Sequence, residues 1–195
     1  TMHKFITERN GDTTDGCHVG CIIRCSQTYD DKDGNYLNSG FEYETIRGFG
    51  AGCLIDDLDI IAKIDNICDD IGIDTIEMAG AMMVAMEAGI VKWGDGEGVL
   101  RLLEDVKKGT PLGIVLGNGA DFVDKAYGVT RIPTVKRQSI PGYDPRAVKG
   151  IGVTYATTPM GADYTAGYSV TANILKVGGH IDPLKKDGQI ELSRN

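Results

Sequence analysis

No apolar run in this 195-residue chain is long enough to cross a bilayer. The longest, Met78 to Met86, falls well short of the roughly 20 residues a spanning helix needs. Positive charge is in deficit, with 20 Lys and Arg against 28 Asp and Glu and a net charge of −8. That balance argues against nucleic acid or an anionic membrane surface as the main partner. The first residues, Thr1 to Asn10, mix charge and polarity and show no secretory leader. There is no internal repeat and no low-complexity linker. A second cysteine pair is missing too, because Cys53 and Cys68 stand singly.

Thiol is instead concentrated in one place. Cys17-His18-Val19-Gly20-Cys21-Ile22-Ile23-Arg24-Cys25 brings three cysteines together at C-x3-C-x3-C spacing. Thiolates bind zinc and iron–sulfur clusters far better than they bind magnesium or calcium. Structural zinc usually takes a second C-x2-4-C pair further on. Iron–sulfur clusters accept wider spacings and often draw three thiolates from one run. Spacing alone ranks a cluster first, zinc second, and inert or oxidisable thiols third. A disulfide within the run would leave an odd thiol, so three close thiols point to a reducing, cytoplasmic setting.

The length suits one medium domain or two small ones, and 42% apolar residues suffice for a buried core without staples. A β-hairpin is expected over residues 26–45, where Tyr29 and Tyr36 flank Asp30-Asp31-Lys32-Asp33-Gly34-Asn35. That acidic turn lacks EF-hand spacing and reads as solvated. Helices dominate the rest of the chain. Asp56 is placed to cap one carrying Ile60, Ile64, Ile67, Cys68 and Ile71 at helical spacing, closed by Gly72. Asp74 and Glu77 form a capping-box pair for a second helix, apolar nearly all round and so predicted to be buried. A third runs from Asp95 to Lys108. Thr110-Pro111 opens a fourth, and Ala120 to Tyr127 is a fifth. Val129 to Ile140 is β-like around Pro133, and Asp144-Pro145 begins a last helix reaching about Thr157. The expected fold is mostly α and multihelical, with a small β-hairpin after the cysteine run and a short β-like segment near residue 135.

Seven strings occur in an order that resembles one family. They are Cys17-x-x-Gly20-Cys21, Gly40-Phe41-Glu42-Tyr43-Glu44-Thr45, Ile55-Asp56-Asp57-Leu58-Asp59, Asp69-Asp70-Ile71-Gly72-Ile73-Asp74-Thr75 and Trp93-Gly94-Asp95-Gly96-Glu97. Ile140-Pro141-Gly142-Tyr143-Asp144-Pro145-Arg146 and Tyr155-Ala156-Thr157-Thr158-Pro159-Met160-Gly161-Ala162 complete the set. Together they resemble the tungsten-containing aldehyde ferredoxin oxidoreductases over residues 14 to about 175. The resemblance implies a fragment. Residues 1–126 would hold the cysteine run, hairpin and middle helical domain, and residues 127–195 the start of the C-terminal helical domain. The N-terminal β-rich pterin domain would be absent, as would a later string carrying a fourth cluster cysteine.

The same resemblance implies the site. Cys17, Cys21 and Cys25 would hold a 4Fe-4S cluster, although the family spacing is C-x2-C-x3-C and Thr14 stands where its first cysteine would be. Asp69 and Asp74 match two pterin-facing aspartates, and ionised carboxylates are suitable acceptors for the N–H groups of a pterin edge. Lys136 matches a lysine that reaches the pterin. Glu44 matches a carboxylate beside the metal, with Tyr43 adjacent and Thr75 nearby, and burial would equip it as a general base. Thr134 replaces a metal-proximal histidine that neither His18 nor His180 restores, so the expected substrate is something other than a simple aldehyde. His18 is expected to be packed or solvent-facing. The implied cofactors are a tungsten (or molybdenum) bispyranopterin and the 4Fe-4S cluster. The implied partners are an aldehyde or related carbonyl compound, ferredoxin or another iron–sulfur carrier, and the remainder of the same polypeptide. Two rival classes remain open: an electron-transfer or cofactor-binding module without catalysis, and a helical protein with structural zinc.

Overall fold

A computed structural model describes residues 2–194. Helices make up about half of it and its strands form only two small antiparallel pairs, in line with the mostly α expectation. Helix α1, Met2–Glu8, buries Ile6. A cysteine-bearing loop comes next, closed at its base where the Asp15 N–H donates to the Ser26 carbonyl and that of Thr28 to Asp12. Strands β1 (Thr28–Asp30) and β2 (Tyr36–Ser39) pair with Tyr29 opposite Asn38. Their turn is organised by Asp31, whose carboxylate accepts the N–H groups of Asp33 and Asn35. It binds its own backbone, as a solvated turn should.

The hairpin is shorter than residues 26–45. Gly40, at φ 68°, ends it, and Tyr43–Thr45 (α2) then turns helical and continues as a π-helical segment, Ile46–Gly52. Glycines at 48, 50 and 52 give that segment little helix propensity, which hides it from periodicity.

Helix α3 (Leu58–Ile71) is capped by Asp57 rather than Asp56: the Asp57 carboxylate accepts the N–H groups of Asp59 and Ile60. It closes at Gly72 in left-handed geometry. Helix α4 (Thr75–Glu87) is capped by Asp74, which accepts the Glu77 N–H at 2.7 Å. The reciprocal half of the expected capping box is missing. Glu77 turns away to accept the N–H groups of Ala120 at 2.9 Å and Ser139 at 2.8 Å. Two distant amides thereby gain a charged acceptor, a stronger bond than a neutral one. Met78 to Met82 and Val84 to Met86 are buried, so α4 is the central helix. Gly48 allows the π-helical segment to approach it, since a Cβ there would sit 2.7 Å from that of Ala79.

Helices α5 (Gly96–Lys108), α6 (Pro111–Gly117) and α7 (Ala120–Tyr127) pack around α3 and α4, with Asp95 and Thr110 as N-caps of the first two. Strands β3 (Thr134–Val135) and β4 (Gln138–Ser139) form the second hairpin. Its turn residues, Lys136 and Arg137, both hold positive φ, a conformation that costs side-chain-bearing residues energy. The last predicted helix begins later than Asp144-Pro145, at Lys149 (α8, Lys149–Thr157). Asp144 instead folds into a local turn, accepting the Arg146 N–H at 2.8 Å and chelating its guanidinium. That competition between side chain and backbone delays the helix. A 3-10 turn, Tyr164–Ala166, and helices α9 (Val170–Asn173) and α10 (Gln189–Arg194) complete the described chain.

Buried apolar side chains form two clusters. The larger runs from Ile6 to Val129 and the smaller from Val148 to Val170. Cys53 and Cys68 lie inside the larger one, where burial pushes both thiols up to about 12 and leaves them inert at neutral pH. Among the described residues no helix is long and apolar enough to cross a membrane.

Candidate functional site

The loop before β1 gathers soft donors. Ligand atoms of Cys17, His18 and Cys21 lie within 4.8 Å of one another, near the surface. Gly20, at φ 83°, makes the turn that folds Cys21 back toward Cys17. Backbone N–H groups of Arg24 and Ile23 favour the Cys21 thiolate and lower its pKa, whereas the shared bond with Cys21 raises that of Cys17. The grouping differs from the three-cysteine expectation. His18 belongs to it, its Nδ1 at 2.9 Å from the Val19 carbonyl, and Cys25 lies outside it. Thr14 is exposed and bonds Asp12.

A second centre forms around Glu44. Its Oε2 accepts the Gly142 N–H at 2.6 Å, and its Oε1 is buried without a hydrogen-bond partner among the described residues. Burial raises the Glu44 pKa, Gly142 and the charge of Arg47 oppose the rise, and Asp74 adds to it. Tyr43 stacks on Tyr143 with ring centroids 5.9 Å apart. Gly142 permits that stack, because a Cβ there would press within 2.7 Å of the Tyr43 ring. Tyr143 also packs edge-on against Tyr164 and Tyr168, and its hydroxyl lies 2.9 Å from that of Tyr168. The carboxylate thus sits at a tyrosine-rich junction between the two hydrophobic clusters.

Thr75 does not bond Glu44; it ends a buried polar chain that passes through Thr45, the next residue after Glu44. The Thr45 hydroxyl lies 2.9 Å from Thr75 Oγ1 and donates to Asp65 Oδ1 at 2.9 Å, and Asn38 Nδ2 donates to Asp65 Oδ2 at 2.6 Å. Asp65 is buried, and desolvation pushes its pKa up to about 6 from 3.8. Its folded form therefore binds a proton more readily than its unfolded form, so its contribution to stability falls as pH rises from about 4 through about 6. Asp65→Asn fills the same space with both neighbours still bonded. We expect the variant to gain about 2 kcal/mol on the wild type between pH 4 and pH 8, measured by unfolding at both values. A pH-independent difference would show that Asp65 is ionised throughout.

Asp69 and Asp74 flank the Gly72 turn and both are exposed. Partial burial raises the Asp69 pKa, and no side chain among the described residues bonds it, whereas Asp74 is engaged as the α4 cap. Lys136 is placed differently. Its Nζ donates to the carbonyls of Ala156 at 3.2 Å and Thr158 at 2.6 Å, at the C-terminal end of α8, where the helix dipole favours a cation. Thr134 lies at the start of β3, two residues before it.

Residues 2–195 match the family described as aldehyde ferredoxin oxidoreductase, domains 2 & 3. The chain belongs to the aldehyde ferredoxin oxidoreductase family. The tungsten-containing aldehyde ferredoxin oxidoreductase of Pyrococcus furiosus is 31% identical over 159 aligned positions, covering 74% of this chain and 26% of that protein. The protein of the same description from Pyrococcus horikoshii is 30% identical over 211 aligned positions, 93% of this chain and 34% of that protein. That from Thermococcus kodakarensis is 31% identical over 162, covering 75% and 27%. The chain spans about a quarter to a third of the length of these relatives.

Membership in the aldehyde ferredoxin oxidoreductase family does not by itself reveal what surrounds each side chain. Gly142, Tyr143 and Arg47, which shape the Glu44 environment, carried no functional signal in the sequence beyond lying in or near the family-like strings. Asp65 did carry one: it interrupts the apolar face Ile61, Ile64 and Cys68, and a buried acid on such a face needs partners.

Proposed function

We propose that this chain supplies the carboxylate-bearing wall of a tungsten- or molybdenum-bispyranopterin oxidoreductase that acts on an aldehyde or related carbonyl compound. Residues 1–126 and 127–195 would be parts of successive domains; the two hydrophobic clusters support such a division, with Val129 and Ile132 still packing into the first. The observation that carries the reading is Glu44: one oxygen is anchored on Gly142 and the other is buried with its lone pairs free. An oxygen so placed is costly unless something brings it a hydrogen-bond donor. The bound cofactors would supply two-electron chemistry at the metal and one-electron transfer through the 4Fe-4S cluster to ferredoxin or another iron–sulfur carrier.

The chain's own residues would position and protonate. Glu44 would take up and return a proton at Oε1, with burial raising its pKa toward the working range. Tyr43 and Tyr143 would screen that oxygen from water, and Thr75 would hold the start of α4 in register through Thr45 and Asp65. Asp69 and Asp74 would receive the pterin N–H groups, and Cys17, Cys21 and Cys25 would ligate the cluster. Lys136 would hold the β3–β4 turn against α8 and present that turn to the pterin. The cytoplasm suits such thiols.

Asp69→Asn in the full-length protein should lower pterin and tungsten content several-fold without loss of helix, read by metal analysis and circular dichroism. Asp74→Asn keeps a good N-cap and should behave alike. Full cofactor content in both variants would remove these carboxylates from the binding set. A second reading is favoured by one observation: a mixed thiolate and imidazole grouping at Cys17, His18 and Cys21 is a donor set that zinc also takes.

A further inference from the structure

A cavity of about 540 Å³ lies beside the segment that anchors Glu44. Ile140 lines it, and two residues later Gly142 donates to Glu44. Pro133 lines it as well, directly before Thr134. Its volume falls in the range of small-molecule sites. The walls are largely apolar, formed by Met83, Trp93, Ile132 and Pro145 beside these two, yet three arginines line it as well. Two carboxylates, Glu87 and Asp144, also line it, so the cavity is net positive within a chain of net charge −8.

The three arginines are not equivalent. Arg146 is neutralised by its own chelate with Asp144. Arg47 makes one long bond to the Ile140 carbonyl at 3.4 Å and lies three residues beyond Glu44. Arg131 has no ion-pair or hydrogen-bond partner among the described residues. Two planar cationic forks beside an apolar chamber match a carboxylate on a hydrophobic or aromatic body. Trp93, partly exposed in the wall, offers a flat face to such a body.

We propose that this cavity binds the carboxylate end of the substrate, so that the preferred substrate class is an apolar or aromatic aldehyde that also carries a carboxylate. Arg131 is the principal recognition group and Arg47 its partner. The proposal rests on the oxidoreductase reading of the Glu44 site.

The test uses full-length holoenzyme and two probes, benzaldehyde and 4-carboxybenzaldehyde, together with calorimetric binding of benzoate. The wild type should show the lower KM for 4-carboxybenzaldehyde. Arg131→Gln should raise the ratio of its KM to that of benzaldehyde about 10–100-fold and weaken benzoate binding by a similar factor, the loss expected for a charged hydrogen-bonded pair. Arg131→Lys should recover part of both. Arg131 is exposed, so its replacement leaves the core untouched. An unchanged ratio, or no benzoate binding to the wild type, overturns the proposal and points to a cavity covered by another part of the polypeptide. If neither aldehyde is turned over while benzoate binds in an Arg131-dependent way, the oxidoreductase reading fails and the anion site stands.

Discussion

Glu44→Gln in the full-length holoenzyme is expected to lower kcat about 10²–10⁴-fold, the usual range for loss of a general acid–base group. Tungsten, pterin and iron contents should stay at wild-type levels. The substitution keeps the shape of the side chain and leaves an oxygen able to accept the Gly142 N–H, now 2.6 Å from Oε2. What it removes is the proton-accepting carboxylate at Oε1, the atom that is buried without a partner. The pH profile gives a second readout. A carboxylate raised by burial should impose an acidic limb on kcat, and that limb should vanish in the variant. Full activity at full metal content would make Glu44 a structural residue that only ties the two hydrophobic clusters together.

The helical scaffold was legible wherever its signals are local. Asp74, Asp95 and Thr110 cap the helices that begin beside them, and Gly72, Gly109 and Gly128 close the helices before them in left-handed geometry, because caps and stops depend on residues a few positions apart. Where local signals mislead, the cause is physical. Asp144 looked like a helix start but spends its carboxylate on Arg146, and Glu77 looked like half of a capping box but serves amides at residues 120 and 139. In each case two acceptable partners compete for one side chain, and only tertiary structure decides between them. The π-helical segment after Thr45 was invisible because its glycines carry no periodic pattern.

The candidate site shows the same division. The residue types of Glu44, Asp69 and Asp74 could be read from matching strings, but their surroundings could not. The amide that anchors Glu44 comes from Gly142, far along the chain, and the tyrosines around it come from separate segments. His18 is exposed, as the solvent-facing expectation had it, and the turn at Gly20 also leaves its ring close to Cys17 and Cys21.

The other large effect is expected at that loop. Cys17→Ser or Cys21→Ser should remove most of the bound iron from the full-length protein, because a hydroxyl is a poor substitute for a thiolate at iron. Cys25→Ser separates the alternatives for the third position: iron loss makes it a ligand that moves in when the centre assembles, and full retention removes it from the set. His18→Ala should leave iron in place if the centre is a cysteine-bound cluster and should release metal if it is a mixed zinc site.

The most direct measurement is therefore the metal content and visible absorbance of the full-length protein purified without oxygen. Iron together with tungsten or molybdenum, and a broad absorbance from thiolate-bound iron, is the predicted result. A colourless protein holding zinc, with neither iron nor tungsten nor molybdenum, would contradict the account.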